Sequence, residues 1–128
     1  MAKIIYLHGF ASSANSTKAL QLKKHILENY SKTEIIIPDI ENNIVDAVQQ
    51  INKLIEEFSP SALIGSSLGG FYATYFSEQY NLKCVGINPA VIPPAEMSEY
   101  LGENKNYSTG EKFLITQEQL DLLDRMGR

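Results

Sequence analysis

The pentapeptide that decides the fold is Gly65-Ser66-Ser67-Leu68-Gly69, which has the form G-x-S-x-G. Residues 62–64 before it are a short apolar run, and residues 70–80 after it have a helical pattern, which places it at a strand-to-helix turn. In that setting G-x-S-x-G presents a nucleophilic serine. Ser67 is therefore the candidate nucleophile, and we expect a positive φ for it in so tight a turn.

The residues around Ser67 have roles that the turn itself predicts. Gly65 and Gly69 would flank the serine because a Cβ at either position would press the helix against the strand it follows. The first N–H groups of a helix lack intrahelical acceptors and carry the positive end of its dipole. The N–H of Leu68 is thus the expected donor to a developing oxyanion.

A second donor is expected near the N-terminus. Residues 4–7 form an apolar strand that leads directly into His8-Gly9-Phe10. In enzymes with such a serine turn, a loop after an early strand supplies the other N–H of the oxyanion hole, and here that residue is Phe10. We predict that His8 shapes this loop by hydrogen bonding and takes no part in catalysis.

Composition excludes several classes of function. The 128 residues predict one domain, 1–128, and the 44% hydrophobic and 20% charged content is typical of a soluble globular protein. A net charge of −4 argues against a nucleic-acid partner, because phosphate binding needs clustered Lys and Arg. No stretch approaches the length of a membrane span, and we expect a cytoplasmic location.

Metal and redox chemistry have no support in the sequence. The single cysteine, Cys84, fits a reducing compartment and is predicted to be a buried, inert thiol at the start of a strand. His25 is expected on a solvated helix face. Neither cysteine pairs nor histidine clusters occur at ligand spacing, so we predict no metal and no cofactor.

Short β-branched runs alternate with longer helical segments, which predicts an α/β domain with a mostly parallel sheet. Ser16 and Asn43 are predicted N-caps, and Thr116 with Gln119 predicts a capping box. The predicted strands are 3–7, 34–37, the run before Gly65, and a buried strand 83–88. The predicted helices are 16–30, 43–58, 70–80, a short one at 95–101, and 116–126, with residues 102–110 as a polar loop or cap segment.

With these motifs placed, the chain resembles the α/β-hydrolase superfamily, and within it the YqiA-like family of small bacterial esterases. The resemblance covers nearly the whole chain and rests on Tyr6-Leu7-His8-Gly9-Phe10 with Ser12-Ser13, Ile36-Ile37-Pro38, Ile64-Gly65-Ser66-Ser67-Leu68-Gly69-Gly70-Phe71-Tyr72-Ala73-Thr74, Asn88-Pro89-Ala90-Val91, Tyr100-Leu101-Gly102 and Tyr107-Ser108-Thr109-Gly110.

The resemblance implies a fold and an activity. The four strands would be ordered 2-1-3-4 with helices on both faces. Ser67 would be the nucleophile, with the N–H groups of Phe10 and Leu68 as oxyanion donors. The substrate would be a small-molecule carboxylic ester, with acyl thioesters as a further class.

The chain departs from the family pattern after Ser67. Members carry two more strands, with an acid after the first and a histidine after the second, which corresponds to roughly sixty further residues. Asp121 and Asp124 follow Ser67 but belong to a predicted amphipathic helix, so we interpret them as surface residues. We therefore expect a feeble esterase at most. The apolar edge at residues 85–87 also predicts self-association.

Two other functions stay open at this stage. In the first, the chain is a non-catalytic protein that binds an acyl ligand or a partner chain. In the second, it is a phosphate- or nucleotide-binding domain that uses residues 65–70. The second alternative has less support, because neither G-x-G-x-x-G nor G-x-x-x-x-G-K-[ST] is present.

Overall fold

A computed structural model describes residues 2–10, 12–87, 100–106 and 108–127. Helices and strands follow one another in the α/β order that the sequence predicts. The elements are β1 (Ala2–Leu7), α1 (Thr17–Asn29), β2 (Thr33–Ile36), α2 (Ile44–Phe58), β3 (Ala62–Ser66), α3 (Leu68–Tyr80), β4 (Lys83–Ile87), β5 (Gly102–Lys105), β6 (Lys112–Ile115) and α4 (Gln117–Met126).

The four parallel strands form one sheet in the order β2-β1-β3-β4, as predicted. Crossovers between parallel strands are right-handed. The crossover from β1 to β2 runs in one direction across the sheet, and the crossovers from β2 to β3 and from β3 to β4 run in the other. Helix α1 therefore covers one face of the sheet, while α2 and α3 cover the other. The chain is an α/β protein with helices on both faces.

The helix starts lie where the sequence places them. The side chains of Ser16, Asn43 and Thr116 accept hydrogen bonds from the third residue beyond them, which is the expected N-cap geometry. The capping box at α4 is only half formed. The Gln119 side-chain oxygen accepts a hydrogen bond from the Ile44 N–H at 2.8 Å, so it joins α4 to the start of α2, while its amide nitrogen donates to the Thr116 hydroxyl at 3.3 Å.

Side chains of the central strands alternate between two buried layers, as the pleat requires. Ile5, Leu7 and Leu63 are fully buried in the main core, which also includes residues of α2, α3 and α4. Tyr6 lies between Ile5 and Leu7 and is buried toward the opposite face. The main core thus lies on the α2–α3 side of the sheet.

The fourth strand is not buried, which corrects the prediction made for it. Within the described residues β4 pairs only with β3, and its residues 83–86 are exposed. Val85 is 55% exposed and Cys84 is also exposed, so the expectation of a buried thiol is wrong. Both corrections have one cause: β4 lies at the edge of the described sheet. Self-association through this edge stays a prediction.

The loop interpretation of residues 102–110 is also wrong, because this segment contains β5 and the turn that leads to β6, whereas its interpretation as a cap segment stays a prediction. These strands pair antiparallel, with Gly102 opposite Ile115. The sequence of β5 is Gly-Glu-Asn-Lys, which has no apolar alternation, so its strand structure depends on the partner strand. The short helix predicted at 95–101 falls almost entirely outside the described residues; of the two that are described, Tyr100 has 3₁₀ geometry and Leu101 is not helical.

Candidate active site

Ser67 lies at the turn between β3 and α3, with φ 55° and ψ −120°. A residue with a Cβ rarely adopts this conformation, so the predicted backbone strain is confirmed. The Ser67 N–H donates to the Ile87 carbonyl at 3.2 Å, and its own carbonyl accepts from the Phe71 N–H at 3.2 Å. Ser67 is exposed, and its hydroxyl does not cap α3, which leaves that hydroxyl available to a ligand.

The glycines on either side of Ser67 are required by space. A Cβ at Gly65 would lie 2.1 Å from the Gly69 carbonyl oxygen, so the start of α3 packs directly on β3. A Cβ at Gly69 would lie 2.1 Å from the carbonyl oxygen of Leu7 and 2.4 Å from that of His8. The steric prediction is confirmed, although Gly69 packs against the end of β1 and not against the strand before it.

The loop that follows β1 passes beside the serine. We call residues 8–10 and 12–15 the oxyanion loop, after the role predicted for Phe10 within it. The register pairs Leu7 with Gly65, so β1 and β3 end side by side. A Cβ built on Gly9 would lie 3.4 Å from the Ser67 Cβ and 4.0 Å from its Oγ. The fold thereby brings the two sequence motifs into contact.

Phe10 and Leu68, the two predicted oxyanion donors, line the same small cavity. Its volume is about 20 Å³, which is room for roughly one water molecule. Tyr72 closes its inner side, and burial raises the pKa of that phenol, so it stays protonated. The full lining is His8, Gly9, Phe10, Ile40, Glu41, Asn42, Leu68 and Tyr72.

His8 is buried, and the backbone occupies both of its ring nitrogens. Its Nε2 accepts a hydrogen bond from the Ile40 N–H at 2.9 Å, so Nε2 carries no proton. Its Nδ1 carries the proton and donates to the Gly9 carbonyl at 2.9 Å. Burial holds the pKa of His8 below its ordinary value, although the Gly9 bond and Asp39 oppose this. The imidazole thus ties the oxyanion loop to the segment after β2, which is the structural role predicted for it.

The other titratable candidates lie on helices. His25 is exposed on α1, where the Asn29 amide and the Tyr30 ring contact it. Asp121 is exposed on α4 and accepts a hydrogen bond from the Gln117 amide at 3.0 Å, as expected of a surface residue. Asp124 also lies on α4. Within the described ranges, no three His, Cys, Asp or Glu side chains are grouped to hold a metal ion.

Sequence reasoning missed a second, polar cavity of about 240 Å³ beside the oxyanion loop. It opens between that loop, the segment after β2 and the turn of the β5–β6 hairpin. The position of residues 39–42 after the carboxyl end of β2 was a usable signal, because ligand sites of α/β sheets lie at that edge. Nothing in the polar segment 102–110 marks Asn106 as a site residue. The lining is Ser12, Ser13, Asp39, Ile40, Glu41, Asn42, Asn106, Thr109 and Glu111.

The fold and this turn define the class of protein: an α/β domain that presents a serine at a strained strand-to-helix turn beside a His-Gly loop. The family model described as an uncharacterised protein family, UPF0227, matches residues 3–126, and the chain belongs to that family. It is also 30% identical over 108 residues to the UPF0227 protein ECA1814 of Pectobacterium atrosepticum.

The match to this relative covers 81% of the present chain and 59% of the relative, so the chain spans under two thirds of that protein's length. Among the residues that the structure describes, no helix has both the length and the apolar character needed to cross a bilayer.

Proposed function

We propose that this chain carries the nucleophile of a serine esterase of the α/β-hydrolase type, as in the YqiA-like family that its motifs resemble. Ser67 Oγ attacks the carbonyl carbon of a small carboxylic ester and gives its proton to a base; the C–O bond to the alcohol breaks, the proton passes to the departing alcohol, and water later releases the acid from Ser67. One observation carries the proposal: the Ser67 hydroxyl is exposed at a strained turn of φ 55°, beside the Gly9 backbone. Acyl thioesters are a second substrate class to test.

The oxyanion that forms during this attack is proposed to bind the backbone N–H groups of Phe10 and Leu68. Their place in the lining of one water-sized cavity supports this assignment. The start of α3 adds the positive end of its dipole at Leu68. Two such donors are the usual means of stabilising the tetrahedral intermediate of acyl transfer.

Ser67 also needs a general base, because a serine hydroxyl is a weak nucleophile at its free pKa. The sequence contains two histidines. His8 uses both nitrogens for backbone hydrogen bonds, and His25 is exposed on α1. We therefore propose that the chain as given acylates slowly, and that the triad acid and histidine lie in the part of longer family members that it does not match.

The test supplies the missing base from solution. The chain is incubated with p-nitrophenyl acetate, with and without added imidazole, and the acetylated residue is located by mass spectrometry. We expect one acetyl group on Ser67, formed faster with imidazole, and none there in Ser67→Ala. Ser66→Ala is the matched control, because Ser66 is the buried neighbour and its loss leaves the Ser67 hydroxyl in place. Absence of Ser67 acetylation at every imidazole concentration would refute the proposal.

The engagement of both histidines favours a second candidate function, in which the chain binds an acyl ligand or a partner chain without turnover. The same experiment separates the two candidates. Binding of a fatty acid, measured by calorimetry, without acetylation of Ser67 would support this alternative. A cytoplasmic location stays a prediction from the sequence, and a phosphate-binding use of residues 65–70 stays the less supported alternative.

A further inference from the structure

One buried side chain, that of Asn106, connects the turn of the β5–β6 hairpin to the oxyanion loop by hydrogen bonding. Its exposed fraction is only 3%. The amide nitrogen donates to the Ser12 carbonyl at 2.9 Å and to the Asn42 side-chain oxygen at 2.9 Å. Ser12 lies two residues after Phe10. A single amide therefore connects the hairpin turn both to the loop beside Ser67 and to the segment after β2.

The acceptor side of the same amide builds the turn that carries it. Asn106 Oδ1 accepts hydrogen bonds from the Ser108 N–H and the Thr109 N–H, each at 2.9 Å. Its backbone also pairs across the turn with Gly110 and Glu111. All donor and acceptor groups of Asn106 are thus engaged, and its two halves have separate functions: the oxygen fixes the turn, and the nitrogen reaches the oxyanion loop.

Aromatic side chains of the same unit fix Phe10 itself. The Phe10 ring lies 4.8 Å from the ring of Tyr100 and 5.6 Å from that of Phe113, measured between centroids. Tyr100 precedes β5 and Phe113 belongs to β6. A hydroxyl contact between Ser13 and Ser108 adds a further link. The hairpin therefore contacts the loop at Phe10, Ser12 and Ser13.

We propose that Asn106 is a positioning residue for the oxyanion loop, and that the β5–β6 hairpin sets where the Phe10 N–H lies relative to Ser67. The catalytic consequence rests on the esterase proposal, whereas the effect on loop position does not. In this proposal the polar segment 102–110, which contains Asn106, helps to position the loop beside Ser67. Asn106 and both of its acceptor residues, Ser12 and Asn42, line the polar cavity between the hairpin and the loop.

The substitution Asn106→Asp isolates the link. Aspartate keeps the oxygen that accepts from Ser108 and Thr109, so the turn is retained, but it has no N–H to donate to Ser12 or to Asn42. Asn104→Asp is the matched control, because the Asn104 amide donates only within the hairpin, to the carbonyls of Tyr100 and Gly102. Gln119→Glu controls for lost stability, because it removes the buried N–H groups that donate to the Leu114 carbonyl and the Thr116 hydroxyl, away from the oxyanion loop.

The first readout is the position of the loop, which is monitored by amide hydrogen exchange and by the ¹⁵N–¹H shift of Phe10. In Asn106→Asp we expect exchange at Ser12, whose N–H donates to the Gly9 carbonyl, to rise about tenfold or more, and the Phe10 shift to change, with Ser108 and Thr109 still protected. Neither control should change the loop amides. Unchanged exchange at Ser12 together with an unchanged Phe10 shift in a folded Asn106→Asp protein would overturn the proposal. If that variant does not fold, Phe113→Leu replaces it, with the same expectation for the Phe10 amide.

The second readout is acetylation of Ser67 with imidazole present, measured over a range of ester concentrations. We expect the maximal rate to fall about tenfold in Asn106→Asp with little change in the half-saturating concentration, because misplacing one oxyanion donor affects mainly the transition state. An equal fall in Asn104→Asp or Gln119→Glu would contradict the inference. If the unmodified chain is not acetylated, the esterase proposal fails, and the exchange measurement still decides the role of Asn106.

Discussion

The glycines beside Ser67 and the glycines of the β5–β6 hairpin answer different physical requirements. Gly65 and Gly69 have negative φ but no room for a Cβ, which would lie 2.1 Å from a carbonyl oxygen at either position. Gly102 and Gly110 have φ of 107° and 78°, with no atom closer than 3.9 Å to an added Cβ. The serine turn is thus limited by packing between elements, whereas the hairpin is limited by its own backbone conformation.

The largest expected effect is that of Gly69→Ala, which tests the packing half of this comparison. The new methyl would meet the backbone oxygens of Leu7 and His8, and neither can move without separating α3 from β1. We expect a loss of about 3 kcal/mol or more in the free energy of unfolding, measured with urea. Gly9→Ala is the control: its Cβ makes an ordinary 3.4 Å contact, and a loss above about 1 kcal/mol there would contradict the steric account.

Gly102→Ala tests the conformational half and should have an intermediate effect. The position has space but a φ of 107°, so we expect a loss of roughly 1–2 kcal/mol from backbone strain. Thermal unfolding would measure it. Gly110→Asn is the comparison, because asparagine tolerates positive φ and should cost less. If both variants were as stable as the parent chain, strain would not limit the hairpin.

A smaller effect is expected at the serine, the one residue of the turn that has a Cβ despite its positive φ. Ser67→Gly and Ser67→Ala both remove the hydroxyl, but only glycine adopts φ 55° and ψ −120° without strain. We expect the glycine variant to be more stable than the alanine variant by about 1 kcal/mol. Equal urea midpoints would show that the turn stores no strain.

The smallest effect is the pH dependence that His8 contributes. Its pKa is lowered in the folded chain, so the unfolded chain binds the proton more readily. This stability is fully present above the ordinary histidine pKa of about 6.5 and declines as pH falls from there toward the folded pKa. Unfolding curves between about pH 7.5 and about pH 5 should therefore show a steeper loss for the parent chain than for His8→Gln. If stability fell equally with pH in both proteins, the predicted contribution of His8 would be wrong.

Local patterns sufficed for most of the sheet and for the two motifs of the site. Helix α2 begins after Asn43, as its N-cap and its apolar stripe predict, and Ser67 has the predicted φ. Predictions failed where burial depended on neighbours in space. Cys84 and Val85 have the composition of a buried strand, yet they lie at the edge of the described sheet.

The sequence by itself determined the strand-turn-helix around Ser67, because a five-residue pattern with short flanking runs contains all the interactions that form it. Only the tertiary structure decided that Asn106 holds the oxyanion loop, since the two ends of its hydrogen bond to Ser12 are 94 positions apart. Local propensity does not encode such a contact. It exists because the parallel sheet and the hairpin bring polar groups together in a buried place, where each must find a partner.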